Sequence, residues 1–113
     1  MDSLNAKDLY KNLKDFQKKC VIVDVRTPEE FDEEHIDGAI NIPLEEIPDK
    51  IKSLKKDKEL ILVCLSGLRA KKAAAAFESA DFKVKVLNGG MIEWRRALGP
   101  AYFAKMFGEG GEE

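Results

Sequence analysis

The chain has 113 residues, a length that suits one compact domain with a core large enough to hold without metal or disulfide staples. Its net charge of −2 speaks against a nucleic-acid partner, and lysines such as Lys52, Lys55, Lys56 and Lys58 alternate with apolar or acidic neighbours and read as solvated helix faces. The start has no charged-then-apolar leader pattern, and the longest apolar run, residues 60–65, is too short to span a membrane, so no membrane partner and a cytoplasmic location are expected.

Leu4, Leu9, Leu13 and Phe16 recur at helical spacing and predict an amphipathic helix over residues 4–17. Residues 20–25, CVIVDV, are an apolar, β-branched burst bounded by charge, the mark of a buried strand. In Thr27-Pro28-Glu29-Glu30, Thr27 can cap a helix, Pro28 fits its first position and Glu30 completes a capping box; the short helix carries Phe31. Residues 38–42 predict a short strand. Pro43 then opens a helix through about residue 54, with Leu44, Ile47 and Ile51 on one face. Residues 59–64 are the second strong strand. Residues 68–79 are helical, with Ala70, Ala73, Ala74 and Phe77 on the packed side. Residues 84–87 form another strand, and Gly89-Gly90 turns it into a helix holding Ile92 and Trp94. The glycine- and glutamate-rich end, residues 108–113, is expected to be a disordered tail, leaving residues 1–107 as the domain.

Strands and helices alternate, which argues an α/β domain with a mostly parallel sheet and helices on both faces. The carboxyl ends of parallel strands lie on one side, where ligands usually sit. Asp24 to Arg26, Cys64 to Arg69 and Asn88 to Gly90 all follow strand ends and should line one crevice. Cys20 begins its strand and Cys64 ends another. Four or five residues at roughly 3.3 Å each keep them too far apart for a disulfide, so both are expected to be free thiols, with Cys20 a buried filler.

From burial statistics alone, Cys64 reads as packing. Its setting argues otherwise. Leu65, Ser66, Gly67 and Leu68 are too few for a wandering loop and must curl tightly, which Gly67 permits. Such a curl aims backbone N–H groups inward, and the helix start adds unpaired donors of its own. An anion at the centre is stabilised, and the Cys64 sulfur is placed to be that anion, the nucleophilic form of a thiol. Arg69 closes the loop and can add charge-assisted hydrogen bonds. Asp24 and Arg26 are expected to pair near their strand end and fix the neighbouring loops. His35 leads into a strand start, away from the carboxyl ends, and reads as a packing residue. Trp94, at helical spacing from Met91 and Leu98, reads as core, and a tight strand-to-helix turn suffices to explain Gly89-Gly90.

Three stretches together resemble the single-domain rhodanese (thiosulfate sulfurtransferase-like) family. They are Val23-Asp24-Val25-Arg26 with Glu30-Phe31, the run from His35 to Pro43, and Cys64 to Arg69 with Ala73-Ala74, continuing to Leu87-Asn88-Gly89-Gly90 and Trp94. The resemblance covers roughly residues 19–98. It implies a rhodanese-like α/β fold with a central five-stranded parallel sheet. It also implies a catalytic cysteine at Cys64 that carries sulfur as a persulfide cradled by the loop of Leu65, Ser66, Gly67, Leu68 and Arg69. Related phosphatases of the cell-cycle type have a loop one residue longer, so the six-residue span of residues 64–69 favours sulfur over phosphate or arsenate. Glu34 stands where the family often has glycine, implying a differently shaped helix end. Ala70 stands where it often has serine or threonine, removing one hydrogen bond to the loop.

The expected activity is two-step transfer of a sulfane sulfur from thiosulfate or a similar donor to cyanide or a thiol, through a Cys64 persulfide, with no metal or cofactor. A protein donor or acceptor remains open, with Leu65 and Leu68 as an apolar rim and Arg69, Lys71 and Lys72 as a basic one. The protein is expected to be a monomer. The alternative is a catalytically idle rhodanese-like module for protein binding or regulation.

Overall fold

The computed structural model describes residues 2–100; the expected tail at 108–113 lies outside them. Five strands form one parallel sheet: β1 (Asp2–Leu4), β2 (Cys20–Asp24), β3 (Ile40–Asn41), β4 (Glu59–Val63) and β5 (Val84–Leu87), in the order β1-β5-β4-β2-β3. The helices are α1 (Ala6–Lys11), α2 (Leu13–Lys19), α3 (Pro28–Glu33), α4 (Ile47–Lys50), α5 (Leu68–Ser79) and α6 (Gly90–Leu98). Among the described residues no helix is long and apolar enough to cross a membrane.

The central strands are buried on both faces, and their alternation divides the core. Val23, Val25, Leu60, Leu62, Cys64, Val84 and Val86 face α4 and α5. Leu4, Ile22, Ile61, Val63 and Leu87 face the opposite way, toward α1 and α6. On α5, Ala70, Ala73, Ala74 and Phe77 are fully buried. The three alanines let the helix axis approach the sheet, and Phe77 fills the space beyond them, edge-on to Phe82 at 5.3 Å. Trp94 packs in the other layer against Tyr10, also edge-on.

The helix expected over residues 4–17 is instead a strand and two helices. Leu4 pairs with Leu87 in β1, at the sheet edge. Asn5 then caps α1, its side chain accepting the Lys7 N–H at 2.8 Å, and Asn12 interrupts the run before α2. Three-residue edge strands carry too short an alternation to be read against a helical pattern. The helix expected from Pro43 to residue 54 is also shorter. A single 3-10 turn covers Leu44–Glu46, and α4 ends at Lys50. Pro48 has no N–H to return to Leu44, so the first turn cannot continue as α-helix. The strand of residues 38–42 contracts to β3 because Gly38, at φ +85°, is still in a turn.

Register carries the site. Asp24 lies beside Val63, and Leu62 beside both Val23 and Val86, so the residues after β2, β4 and β5 emerge together at one end of the sheet. Because Phe77 is wholly enclosed, Phe77→Ala should lower the unfolding free energy by about 3–5 kcal/mol, read by chemical denaturation.

Candidate active site

Cys64 is the first residue past β4 and is 1% exposed. Its Sγ accepts two backbone hydrogen bonds, from the Gly67 N–H at 3.0 Å and from the Ala70 N–H at 3.3 Å. Gly67 sits at φ +109° and is the N-cap of α5. Only that backbone lets the chain double back from Cys64 into the helix in so few residues. Ala70 is the third residue of α5, so its N–H is one of the helix donors that intrahelical bonding leaves unused. The amides of Ser66, Leu68 and Arg69 meet no acceptor among the described residues.

What keeps the loop in this shape is the start of α6. The Met91 N–H donates to the Cys64 carbonyl at 2.9 Å and the Ile92 N–H to the Leu65 carbonyl at 3.1 Å. Gly89 and Gly90 both have positive φ. A Cβ on Gly90 would collide with the Cys64 carbonyl oxygen and stand 2.6 Å from that of Leu65. The turn therefore needs glycine for contact with the cysteine loop as well as for its own backbone.

Arg69 does not bond Sγ. Its Nη1 donates to Glu30 Oε1 at 2.8 Å and its Nη2 to Oε2 at 3.0 Å, a two-bond fork. Glu30 is the residue that completes the α3 capping box: Thr27 N–H donates to its Oε1, while the Glu30 N–H donates to Thr27 Oγ1. The Arg69 guanidinium, with the Thr27 N–H and hydroxyl, overrides partial burial and holds the Glu30 carboxyl at about 2, against an ordinary 4.5. The same pairing raises Arg69, with a smaller contribution from nearby Cys64.

Asp24 and Arg26 form a buried pair, 1% and 2% exposed. Arg26 Nη2 donates to Asp24 Oδ2 at 2.8 Å, its Nε reaches both carboxylate oxygens, and its own N–H returns to Oδ1. Nη2 also donates to the Glu34 carbonyl at 2.6 Å, and Asn41 Nδ2 donates to the carbonyls of Asp24 and Arg26. The pair thus locks the β2 exit to the end of α3 and to β3, and neither side chain bonds the sulfur. His35 stacks on Phe31 at 3.8 Å and its Nδ1–H donates to the Phe31 carbonyl.

Around the loop, Leu65 is half-buried, Ser66 is exposed and Leu68 is 70% exposed. Lys71 and Lys72 are exposed on the following turn of α5. Cys20 lies at the far end of the sheet, unpaired, and burial with nearby Glu59 pushes its thiol up. The Ala70 amide follows from helix position alone, as one of the helix-start donors the sequence implies. Two contributors escape a sequence reading. The contacts of Glu30 and Gly90 with the loop are long-range, with no local signal beyond the cap and the glycine pair.

The rhodanese-like domain family model matches residues 5–97. A sulfurtransferase of Allochromatium vinosum is 30% identical over 97 residues, 85% of this chain and 90% of its own length. YtwF of Bacillus subtilis is 35% identical over 83 residues, covering 74% of this chain and 81% of that one. The crystal structure of a rhodanese-related protein from Thermoplasma volcanium superposes with a TM-score of 0.76 at 32% identity, over 85% of this chain and 92% of that one. The chain spans less than half the length of several other curated relatives.

Two outcomes follow from this geometry. Gly90→Ala should cost about 1–2 kcal/mol from the left-handed backbone alone, plus displacement of the Cys64 and Leu65 carbonyls, seen as a lowered melting midpoint and a changed rate of Cys64 alkylation. Glu30 has a depressed folded pKa, so its contribution is present above 4.5 and lost as pH falls toward about 2. Both partners are about a third exposed, so screening holds that contribution to about 1 kcal/mol. Denaturation against pH should show wild type more stable than Glu30→Gln at neutral pH, the difference vanishing toward pH 2.

Proposed function

The chain belongs to the rhodanese-like family, and from that premise we propose that it moves a sulfane sulfur through a persulfide on Cys64. The observation that carries this reading is the convergence of the Gly67 and Ala70 amides on Sγ. N–H dipoles aimed at an atom favour negative charge that develops there, as it would on a sulfur extended by one atom.

In the first step the Cys64 thiolate attacks the outer sulfur of thiosulfate. A new S–S bond forms, the old one breaks, and sulfite leaves with the electron pair. In the second, cyanide or a thiolate attacks the terminal sulfur of the persulfide and the Cys64 thiolate is regenerated. This is covalent catalysis with two half-reactions and no external base. The unpaired amides of Ser66, Leu68 and Arg69 supply donors for the terminal sulfur. Arg69 stands at the rim with Lys71 and Lys72, which suits an anionic donor. Leu65 and Leu68 offer apolar contact to an acceptor carried on a protein.

One observation favours a second reading. Cys64 is almost wholly enclosed, as it would be in an idle module whose loop merely packs. Intact mass separates the two. After thiosulfate treatment and desalting, the protein should gain one sulfur atom, removable by dithiothreitol. Cys64→Ser should gain none while keeping its circular dichroism and melting midpoint. A wild-type protein that takes up no sulfur from thiosulfate or an organic persulfide would favour the idle module. Sulfur uptake retained in Cys64→Ser would remove Cys64 from the reaction.

A further inference from the structure

In the sequence Glu30 completes the α3 capping box and lies in one of the stretches that carry the family resemblance, with no contact to the cysteine loop implied. The structure puts its carboxylate at the loop, 39 residues away in the chain, in a fork with Arg69. We propose that Glu30 is a positioning residue for sulfur transfer: it clamps the Arg69 guanidinium at the rim of the Cys64 loop, making the first turn of α3 a working part of the site.

The clamp is rigid because the carboxylate is fixed from its own side. Oε1 accepts the Thr27 N–H at 3.0 Å and the Thr27 hydroxyl at 3.2 Å as well as Arg69 Nη1 at 2.8 Å. Pro28 fixes the backbone at the first position of the same turn. Arg69 therefore docks against an acceptor that α3 has already oriented. Arginine carries five N–H donors in one plane, and the fork uses one from each terminal nitrogen. The Nε–H and the outer hydrogens of Nη1 and Nη2 remain for an oxyanion at the mouth. Without Glu30 the same side chain would swing freely, or fold over Sγ and compete with the backbone amides. The division of labour is then clear: amides receive the sulfur, and the clamped guanidinium receives the oxygens of the donor or of the departing group.

The inference rests on the sulfur-transfer reading, and the test keeps the two apart. Glu30→Gln retains a residue that serves in a capping box but removes the charge facing Arg69. A double-mutant cycle combines Glu30→Gln with Arg69→Ala. Two readouts are taken: the single-turnover rate of persulfide formation from thiosulfate by mass, and the rate of Cys64 alkylation by iodoacetamide. Glu30→Gln should slow persulfide formation by about tenfold or more when Arg69 is present. In the Arg69→Ala background its effect should fall below about twofold. Equal losses in both backgrounds would mean that Glu30 acts only as a cap, and no loss in the first would mean that the clamp has no function; either overturns the proposal. Where Arg69→Ala silences transfer, the alkylation cycle decides by the same pattern, since that reaction needs no donor site. If wild type accepts no sulfur yet its alkylation rate responds to Glu30 only through Arg69, the transfer reading fails and the clamp stands.

Discussion

The site depends on two hydrogen bonds that never touch the sulfur. Met91 and Ile92, at the start of α6, donate to the carbonyls of Cys64 and Leu65. A trans peptide is planar and points its C=O and N–H in opposite directions. Fixing those two carbonyls on α6 turns the Leu65 and Ser66 N–H groups away from it. The chain then has to reverse at Gly67 to enter α5, which delivers the Gly67 and Ala70 amides to Sγ. Gly90 makes this possible by being absent as a side chain: the carbonyls occupy the space where its Cβ would be. A turn read as local economy is in fact the contact surface for the cysteine loop.

The wall opposite is held by charge. Helix α3 has six residues, buries none of them completely and is too short to be stable alone. It is pinned at both ends. Its first turn takes Arg69 through Glu30. Just past its last turn, the Glu34 carbonyl takes Arg26, and the Glu34 carboxylate takes Arg95 of α6 at 2.8 Å. Arg26 is in turn fixed by Asp24 at the exit of β2. Breaking one partner of so deeply enclosed a pair typically costs about 3–5 kcal/mol. The network therefore joins β2, α3, α5 and α6 around one loop, and each join is an arginine.

That network explains which parts of the molecule the sequence discloses. The α5 boundaries, the two central strands and the capping box of α3 are governed by neighbours in the chain, and all are legible from spacing and residue type. The place of Cys64 at the strand-to-helix turn is legible too, because a strand end, a glycine and a helix start fall within a few residues. What spacing misses is long-range. Leu4 looks helical until β5 is beside it. Glu34 reads as a change in the shape of a helix end, whereas its carboxylate meets an arginine 61 positions later. Glu30 has a complete local explanation, which conceals its second role at Arg69.

The two cysteines isolate the decisive variable. Both are enclosed, both are unpaired, and both lie on strands or at their ends. Cys20 stands at the amino end of β2, where the thiol meets burial and the carboxylate of Glu59, and both oppose ionisation. Cys64 stands past the carboxyl end of β4, where parallel strands release their chains into helix starts and unspent N–H groups gather. Burial is shared, so burial does not distinguish them. The difference is the direction of the main-chain dipoles around the sulfur, set by the end of the sheet on which each cysteine falls. Fixed dipoles of this kind need no reorganisation when charge develops beside them. Because Cys64 is so little exposed, the Gly67 and Ala70 dipoles act on its sulfur with little screening.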